Sequence, residues 1–126
     1  MALMDTSAVI DLGKGKEKIL SIIRLLDAKG EELSISSISV FELAAGSPAG
    51  IEENRKKLLE TFQIIPMSYE QAEKGALIYR KLRDECRDIG AFDSMIAGVA
   101  LIENEQLITA NAKHFERVSG LQIIKY

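Results

Sequence analysis

Short apolar runs alternate with stretches of helical periodicity from one end of the chain to the other. Ala2-Leu3-Met4 is a brief apolar run that stops at Asp5, and Leu33-Ser34-Ile35-Ser36 alternates with period two after Gly30. Both read as strands. Phe62-Gln63-Ile64-Ile65, stopped by Pro66, is a third, with Gln106-Leu107-Ile108-Thr109 and Leu121-Gln122-Ile123-Ile124 the fourth and fifth. Between them, residues 16–29 set Ile19, Ile22, Ile23 and Leu26 on one stripe of a helix. A short helix is predicted over 39–45 and a polar one over 51–61, around Leu58 and Leu59. The longest covers 69–87, with Ala72, Ala76, Tyr79, Leu82 and Cys86 along one side. A last one over 93–103 carries Ala97, Gly98 and Ala100, small enough to let a neighbouring helix lie close. Alternating strands and helices make βαβ units, so the expected fold is a three-layer α/β/α arrangement around a mainly parallel sheet of four to five strands. Gly46-Ser47-Pro48-Ala49-Gly50 reads as a loop between helices, and residues 1–126 as a single domain.

Composition narrows the class. Lys plus Arg number 16 and Asp plus Glu 19, a formal charge of −3 over 126 residues. Mild acidity disfavours nucleic-acid binding by bulk charge, which needs clustered Lys and Arg. The single cysteine, Cys86, has no internal disulfide partner, and with the single histidine, His114, it makes no zinc cluster. That usage suits a reducing, cytoplasmic compartment. The N-terminus lacks the basic and apolar regions of a signal peptide, and no run approaches the roughly 20 apolar residues of a membrane span, so no membrane association is expected.

Candidate chemistry lies at the strand ends. In open parallel sheets, ligands bind outside the carboxyl ends of the strands. Asp5-Thr6-Ser7 follows the first strand, Glu42 lies one turn into the helix after the second, Asp93 opens the helix before the fourth, and Thr109-Ala110-Asn111 leaves the fourth. Three carboxylates, an amide and several hydroxyls are thus expected on one rim. Two such charges about 4 Å apart repel by roughly 4 kcal/mol at an effective dielectric of 20. A hard divalent cation, Mg2+ or Mn2+, relieves that repulsion and gains oxygen ligands. Such an ion can activate water and offset charge on a phosphodiester, the chemistry of a nuclease. Each acid also has an ordinary reading. Asp5 caps the helix starting at Thr6, Ser39-Val40-Phe41-Glu42 is a capping box, and Asp93 caps its own helix. Ser68-Tyr69-Glu70-Gln71 shows the same capping pattern where nothing suggests chemistry.

The ordered set Met4-Asp5-Thr6-Ser7-Ala8, Ser39-x-x-Glu42-Leu43, Gly90-x-x-Asp93-x-x-Ile96-Ala97 and Leu107-Ile108-Thr109-x-Asn111-x-x-His114-Phe115 resembles the PIN-domain family, and within it the VapC-like toxins of toxin–antitoxin pairs. The resemblance spans essentially the whole chain. It implies a magnesium- or manganese-dependent endoribonuclease acting on RNA, a homodimer, and inhibition by a small VapB-like antitoxin. It implies that Asp5, Glu42 and Asp93 form the acidic metal site, with Asn111 as a fourth catalytic position and Thr6, Ser7 and Thr109 as supporting hydroxyls. Many members carry an acid where Asn111 stands, or three residues on, where this chain has His114. One firmly held ion, with a second recruited by substrate phosphate, is the resulting expectation. The rival reading is a catalytically weak or inactive PIN-like binding module. Candidate RNA contacts are Lys113, His114, Arg80 and Arg83, although 80–87 also reads as the solvated side of a helix. Phe41, Phe92 and Phe115 border the rim, where packing is the ordinary role of an aromatic ring, and Cys86 is expected to pack in the core or a helix contact.

Overall fold

Strand β1 (Ala2–Met4) has three residues, all buried, and stands at the centre of a five-stranded sheet. It pairs on one side with β2 (Leu33–Ser36), which pairs with β3 (Gln63–Ile65). On the other side it pairs with β4 (Gln106–Thr109), which pairs with β5 (Ile123–Lys125). All four pairings are parallel, and Met4 aligns with both Ile35 and Ile108. The computed structural model describes residues 1–126 throughout. The order β3-β2-β1-β4-β5 reverses direction at β1, so the crevice at its carboxyl end, beside β4, is where such a sheet opens to a ligand.

The helices are α1 (Thr6–Gly13), α2 (Glu17–Ala28), α3 (Ser37–Ala45), α4 (Glu53–Glu60), α5 (Tyr69–Asp84), α6 (Ala91–Glu103) and α7 (Ala112–Phe115). Alternation along the strands divides the core into two layers. Leu3 and Leu107 pack with Ile78, Leu82, Ile96 and Phe115 on one face. Ala2, Met4, Ile35 and Ile108 pack with Val9, Ile19, Leu26 and Leu59 on the other. Because both faces are covered, the strands read as apolar runs more than as strict alternation. None of the helices is long and apolar enough to cross a membrane.

Several expected boundaries and faces shift. Helix α3 begins at Ser37, because Ser36 takes the N-cap and its hydroxyl accepts from the Ile38 N–H. Phe62 lies outside β3, and β5 starts two residues late, after Gly120 turns the chain at φ +80°. Helix α5 does have its capping box, Ser68 with Gln71, and it buries Leu82 as expected, but Gln71, Gly75 and Ile78 line its inner face in place of Ala72, Ala76 and Tyr79. The cause is α6. A Cβ on Gly98 would stand 2.7 Å from the Gly75 nitrogen and 2.8 Å from the Gln71 carbonyl oxygen, so the two helices touch backbone to backbone. Glycine, invisible to a hydrophobic pattern, sets which side of α5 faces inward. Cys86 consequently misses the core: α5 ends at Asp84, and Cys86 is exposed in a turn at φ +56°.

Candidate active site

At the carboxyl rim of the three central strands lies a layer of buried polar side chains: Asp5, Ser36, Ser39 and Thr109, none more than 2% exposed. Buried polar groups are tolerable only when partnered, and these are. Asp5 Oδ1 accepts from the Ser7 hydroxyl at 2.7 Å and from the Ala8 N–H at 2.9 Å, while Oδ2 accepts from the Thr109 hydroxyl at 2.5 Å. Asp5 is therefore both the N-cap of α1 and a member of the rim, so its two readings describe one arrangement. Thr109 Oγ1 accepts from the Asn111 N–H, and Ser7 Oγ from the Ala110 N–H, which ties the segment after β4 to the one after β1.

The other two acids do not cap. Glu42 sits inside α3, with Ser39 already a helical residue, and Glu42 Oε1 accepts from the Thr6 hydroxyl at 2.7 Å. Ser39 faces Thr6 at 3.0 Å instead of closing a capping box. Gly90 is the N-cap of α6, so Asp93 is a first-turn residue whose side chain is free to face the rim. Its Oδ2 lies 3.3 Å from His114 Nδ1.

Electrostatics bind the three acids into a set. Burial pushes the Asp5 carboxyl above the usual range, against the pull of its three donors, and the charge of Asp93 pushes it further. Burial raises Glu42, and Asp93 adds to it. Asp93 is raised by burial, with His114 working the other way. Its charge is thus felt at both other acids. Their side chains do not close on a single point, since no three Asp, Glu, His or Cys groups are near enough to hold one ion directly. Each is turned to its own local donor: Asp5 to three, Glu42 to Thr6, Asp93 to His114. The donor set is all oxygen, which suits a hard cation, and Mg2+ ordinarily keeps several waters while using one or two carboxylates.

The remaining candidates divide by position. Asn111 is exposed on the rim and its side chain caps nothing. Lys113 and His114 are exposed on α7, adjoining the rim through Asp93. Arg80 and Arg83 lie exposed on α5. Arg83 is engaged with the Tyr79 ring at 5.6 Å and with Asp84 at 3.6 Å, and the structure records no contact of either arginine with the acids. The sequence pattern makes Ser39 a cap and gives Tyr126 no role. The Tyr126 hydroxyl donates to Asp11 at 2.8 Å, and its pKa is raised by burial, by Asp11 and by Asp5. Nothing local signals a C-terminal tyrosine whose partner is 115 residues away. A cavity of about 640 Å³ lies at the opposite end of the sheet among Arg24, Asp27, Glu31 and Thr61, away from these acids.

Comparison with known proteins gives a consistent result. The PIN domain family model matches residues 2–121. The chain is 35% identical over 124 residues to Ribonuclease VapC1 of Methanocaldococcus jannaschii, covering 96% of this chain and 85% of that protein. It is 30% identical to the tRNA(fMet)-specific endonuclease VapC of Shigella flexneri over 85% of each. Among solved structures, it superposes on the VapBC2 crystal structure from Rickettsia felis bound to a promoter DNA fragment with a TM-score of 0.84. That match has 30% identity and covers 100% of this chain and 99% of the other.

Proposed function

The chain belongs to the PIN-domain family, and on that premise we propose that it is a Mg2+- or Mn2+-dependent endoribonuclease, neutralised by a small VapB-like antitoxin. The curated relatives named as VapC ribonucleases and the VapBC complexes among the structural neighbours support this reading. A single observation carries it at the level of residues. Asp5 after β1, Glu42 on α3 and Asp93 on α6 come from distant parts of the chain to the sheet's carboxyl rim, where Thr6 joins the α1 start to Glu42 and the charge of Asp93 reaches both Asp5 and Glu42.

The chain's own groups divide the work. Asp5 is held rigidly by Ser7, Ala8 and Thr109, which orients one carboxylate for the ion and prevents it from folding away. Glu42 and Asp93 stand on separate helices, α3 and α6, and contribute charge directly or through water. When bound, the ion supplies positive charge that lowers the proton affinity of water and offsets the charge developing on the phosphate. Asn111 offers an uncharged carbonyl oxygen at the same rim. His114, beside Asp93, is placed to touch a phosphate or return a proton to the leaving oxygen. The homodimer is part of the same proposal, with sedimentation as its check.

The test is cleavage of single-stranded RNA in Mg2+ or Mn2+, with and without a chelator, by the wild type and Asp93→Asn. Chelation should abolish cleavage, and Asp93→Asn should lower it about 1,000-fold, the effect of losing several kcal/mol of charge stabilisation. Folding should change by less than about 1 kcal/mol, because a lost helix-dipole contact is offset by relieved repulsion. An Asp93→Asn protein that cuts RNA as fast as the wild type would remove the assignment.

A further inference from the structure

We propose that Ser39 is a positioning residue for the acidic rim: its hydroxyl holds the Thr6 hydroxyl, and Thr6 in turn aims the Glu42 carboxylate. The inference rests on the nuclease reading above and adds to it a residue that touches neither the ion nor the RNA. Ser39 is fully buried, which a hydroxyl tolerates only with a partner. It is not a cap, because Ser36 already holds the N-cap of α3. A serine inside a helix often bonds back to the carbonyl four residues earlier. This one reaches across to α1 instead, where Thr6 Oγ1 lies at 3.0 Å.

Counting protons fixes the direction of the relay. A hydroxyl has one proton, and an ionised carboxylate has none to give. Thr6 Oγ1 is 2.7 Å from Glu42 Oε1 and 3.0 Å from Ser39 Oγ. Its proton therefore goes to Glu42, and Ser39 donates to Thr6. The donors of Asp5 are built the same way. Ser7 donates to Asp5 while its oxygen accepts from the Ala110 N–H. Thr109 donates to Asp5 while its oxygen accepts from the Asn111 N–H. Each hydroxyl is held from behind, so its proton has one destination. For Ser7 and Thr109 the holding donor is backbone, and for Thr6 it is the Ser39 side chain. Placement suits the role. Ser39 and Glu42 are three residues apart on one face of α3, and Thr6, the first residue of α1, directly follows Asp5. One oxygen thus ties the helix that carries Glu42 to the residue beside Asp5, which fixes the spacing of two acids from different elements. Thr6 engages Glu42 Oε1 and leaves Oε2 for the ion or its waters.

The experiment measures Mn2+ affinity by calorimetry, and cleavage of single-stranded RNA, in the wild type, Ser39→Ala, Thr6→Val and the double variant. Ser39→Ala should weaken Mn2+ binding by about 10- to 100-fold, the usual effect of losing an orienting partner. Because Ser39 acts through Thr6, adding Ser39→Ala to Thr6→Val should cost less than about twofold more. Ser39→Cys keeps the buried volume but donates weakly, and it should fall between. Wild-type Mn2+ affinity in Ser39→Ala, or additive losses in the double variant, would overturn the proposal. A second readout needs neither ion nor activity. In the metal-free wild type the Thr6 hydroxyl proton should exchange slowly enough to be seen by NMR, with a cross-peak to the Glu42 side chain. Ser39→Ala should lose that cross-peak, and its survival would count against the relay. Should Ser39→Ala fail to fold, Ser39→Cys carries the same test, and wild-type affinity there would overturn the proposal. Weakened Mn2+ binding by Ser39→Ala, with no RNA cleavage even by the wild type, would keep the relay and remove the nuclease reading. Wild-type cleavage and Mn2+ affinity in Ser39→Ala would do the reverse.

Discussion

Two carboxylates are buried at opposite ends of the same sheet. Asp5 follows β1 at the carboxyl rim and is 2% exposed, and Glu105 precedes β4 at the amino rim and is 5% exposed. Both are pushed above the ordinary carboxylate range, mainly by burial. Their surroundings differ. Asp5 has three donors aimed at it, from α1 and the end of β4, and a like charge, Asp93, at the same rim. Glu105 has one donor, the Ser34 hydroxyl at 2.8 Å, while its Oε1 is buried without a partner. The opposite charge that acts on it is the N-terminal ammonium, itself bonded to Glu31 at 3.0 Å. Burial and a raised pKa therefore do not identify chemistry on their own. What separates the two ends is convergence of donors: at the carboxyl rim several elements deliver acids together with the groups that position them, whereas Glu105, with acidic neighbours of its own in Glu103 and Glu31, keeps one donor and an oxygen without a partner.

The largest effect that separates the two ends is on catalysis. Asp5→Asn should lower RNA cleavage about 1,000-fold while still accepting from the Ser7 hydroxyl and Ala8 N–H through its remaining oxygen. Glu105→Gln should leave cleavage unchanged, and should hold or raise stability at neutral pH, because a buried amide costs less than a buried charge. Measuring both variants in one assay, alongside thermal melts, settles the contrast. A Glu105→Gln protein as inactive as Asp5→Asn would mean that the amino rim belongs to the machinery.

A smaller effect concerns the donors. Thr109→Val removes the hydroxyl that bonds Asp5 Oδ2 and also the acceptor for the Asn111 N–H. Loss of such an orienting partner typically costs 10- to 100-fold in metal affinity or activity, and that is the expected drop in cleavage. Ser34→Ala removes the only donor to Glu105 and should be felt in stability, by about 1–3 kcal/mol, with no change in rate at saturating metal. A rate loss in Ser34→Ala, or none in Thr109→Val, would erase the distinction between a positioned ligand and a carboxylate that is merely buried.

These distinctions were legible in the sequence to unequal degrees. All five strands could be read because their short runs of Ile, Leu and Met end at Asp5, Pro66 or a turn, and β1, β2 and β4 match residue for residue. The acids could be placed because the carboxyl ends of parallel strands form the rim of any such fold. What could not be read depends on contacts distant in sequence. The face of α5 is set by the approach of Gly98, which carries no hydrophobic signal. Ser39 imitates a cap, and only the cap at Ser36 shows that it lies inside the helix, free to meet Thr6, 33 residues away. Phe41 and Phe92 look like packing residues until their exposure is seen, because a pattern marks a ring as apolar without saying what covers it.

The smallest effect is on stability, and its sign follows from the shifts. A carboxyl whose folded pKa is raised contributes stability that is fully present below its unfolded pKa and is lost as pH rises through the folded value. Asp5, Glu42, Asp93 and Glu105 are all raised. The metal-free protein should therefore gain stability as pH falls from neutral toward the ordinary carboxylate range of about 4. Asp11, held low by the Tyr126 and Lys16 contacts despite its burial, and Glu17, held low by Arg24, act in the opposite sense only below that range. Adding Mg2+ at ten times its dissociation constant should stabilise the protein by about 1.4 kcal/mol at neutral pH. That is a rise of about 6 °C in the melting temperature for a domain of this size. The gain should shrink on acidification, as protons displace the ion from Asp5, Glu42 and Asp93, and the neutral-pH deficit left in saturating metal should be the part that Glu105→Gln removes. A melting temperature that Mg2+ raises equally at pH 7 and pH 4.5 would mean that the ion binds away from the rim, and the contrast between the two ends of the sheet would lose its physical basis.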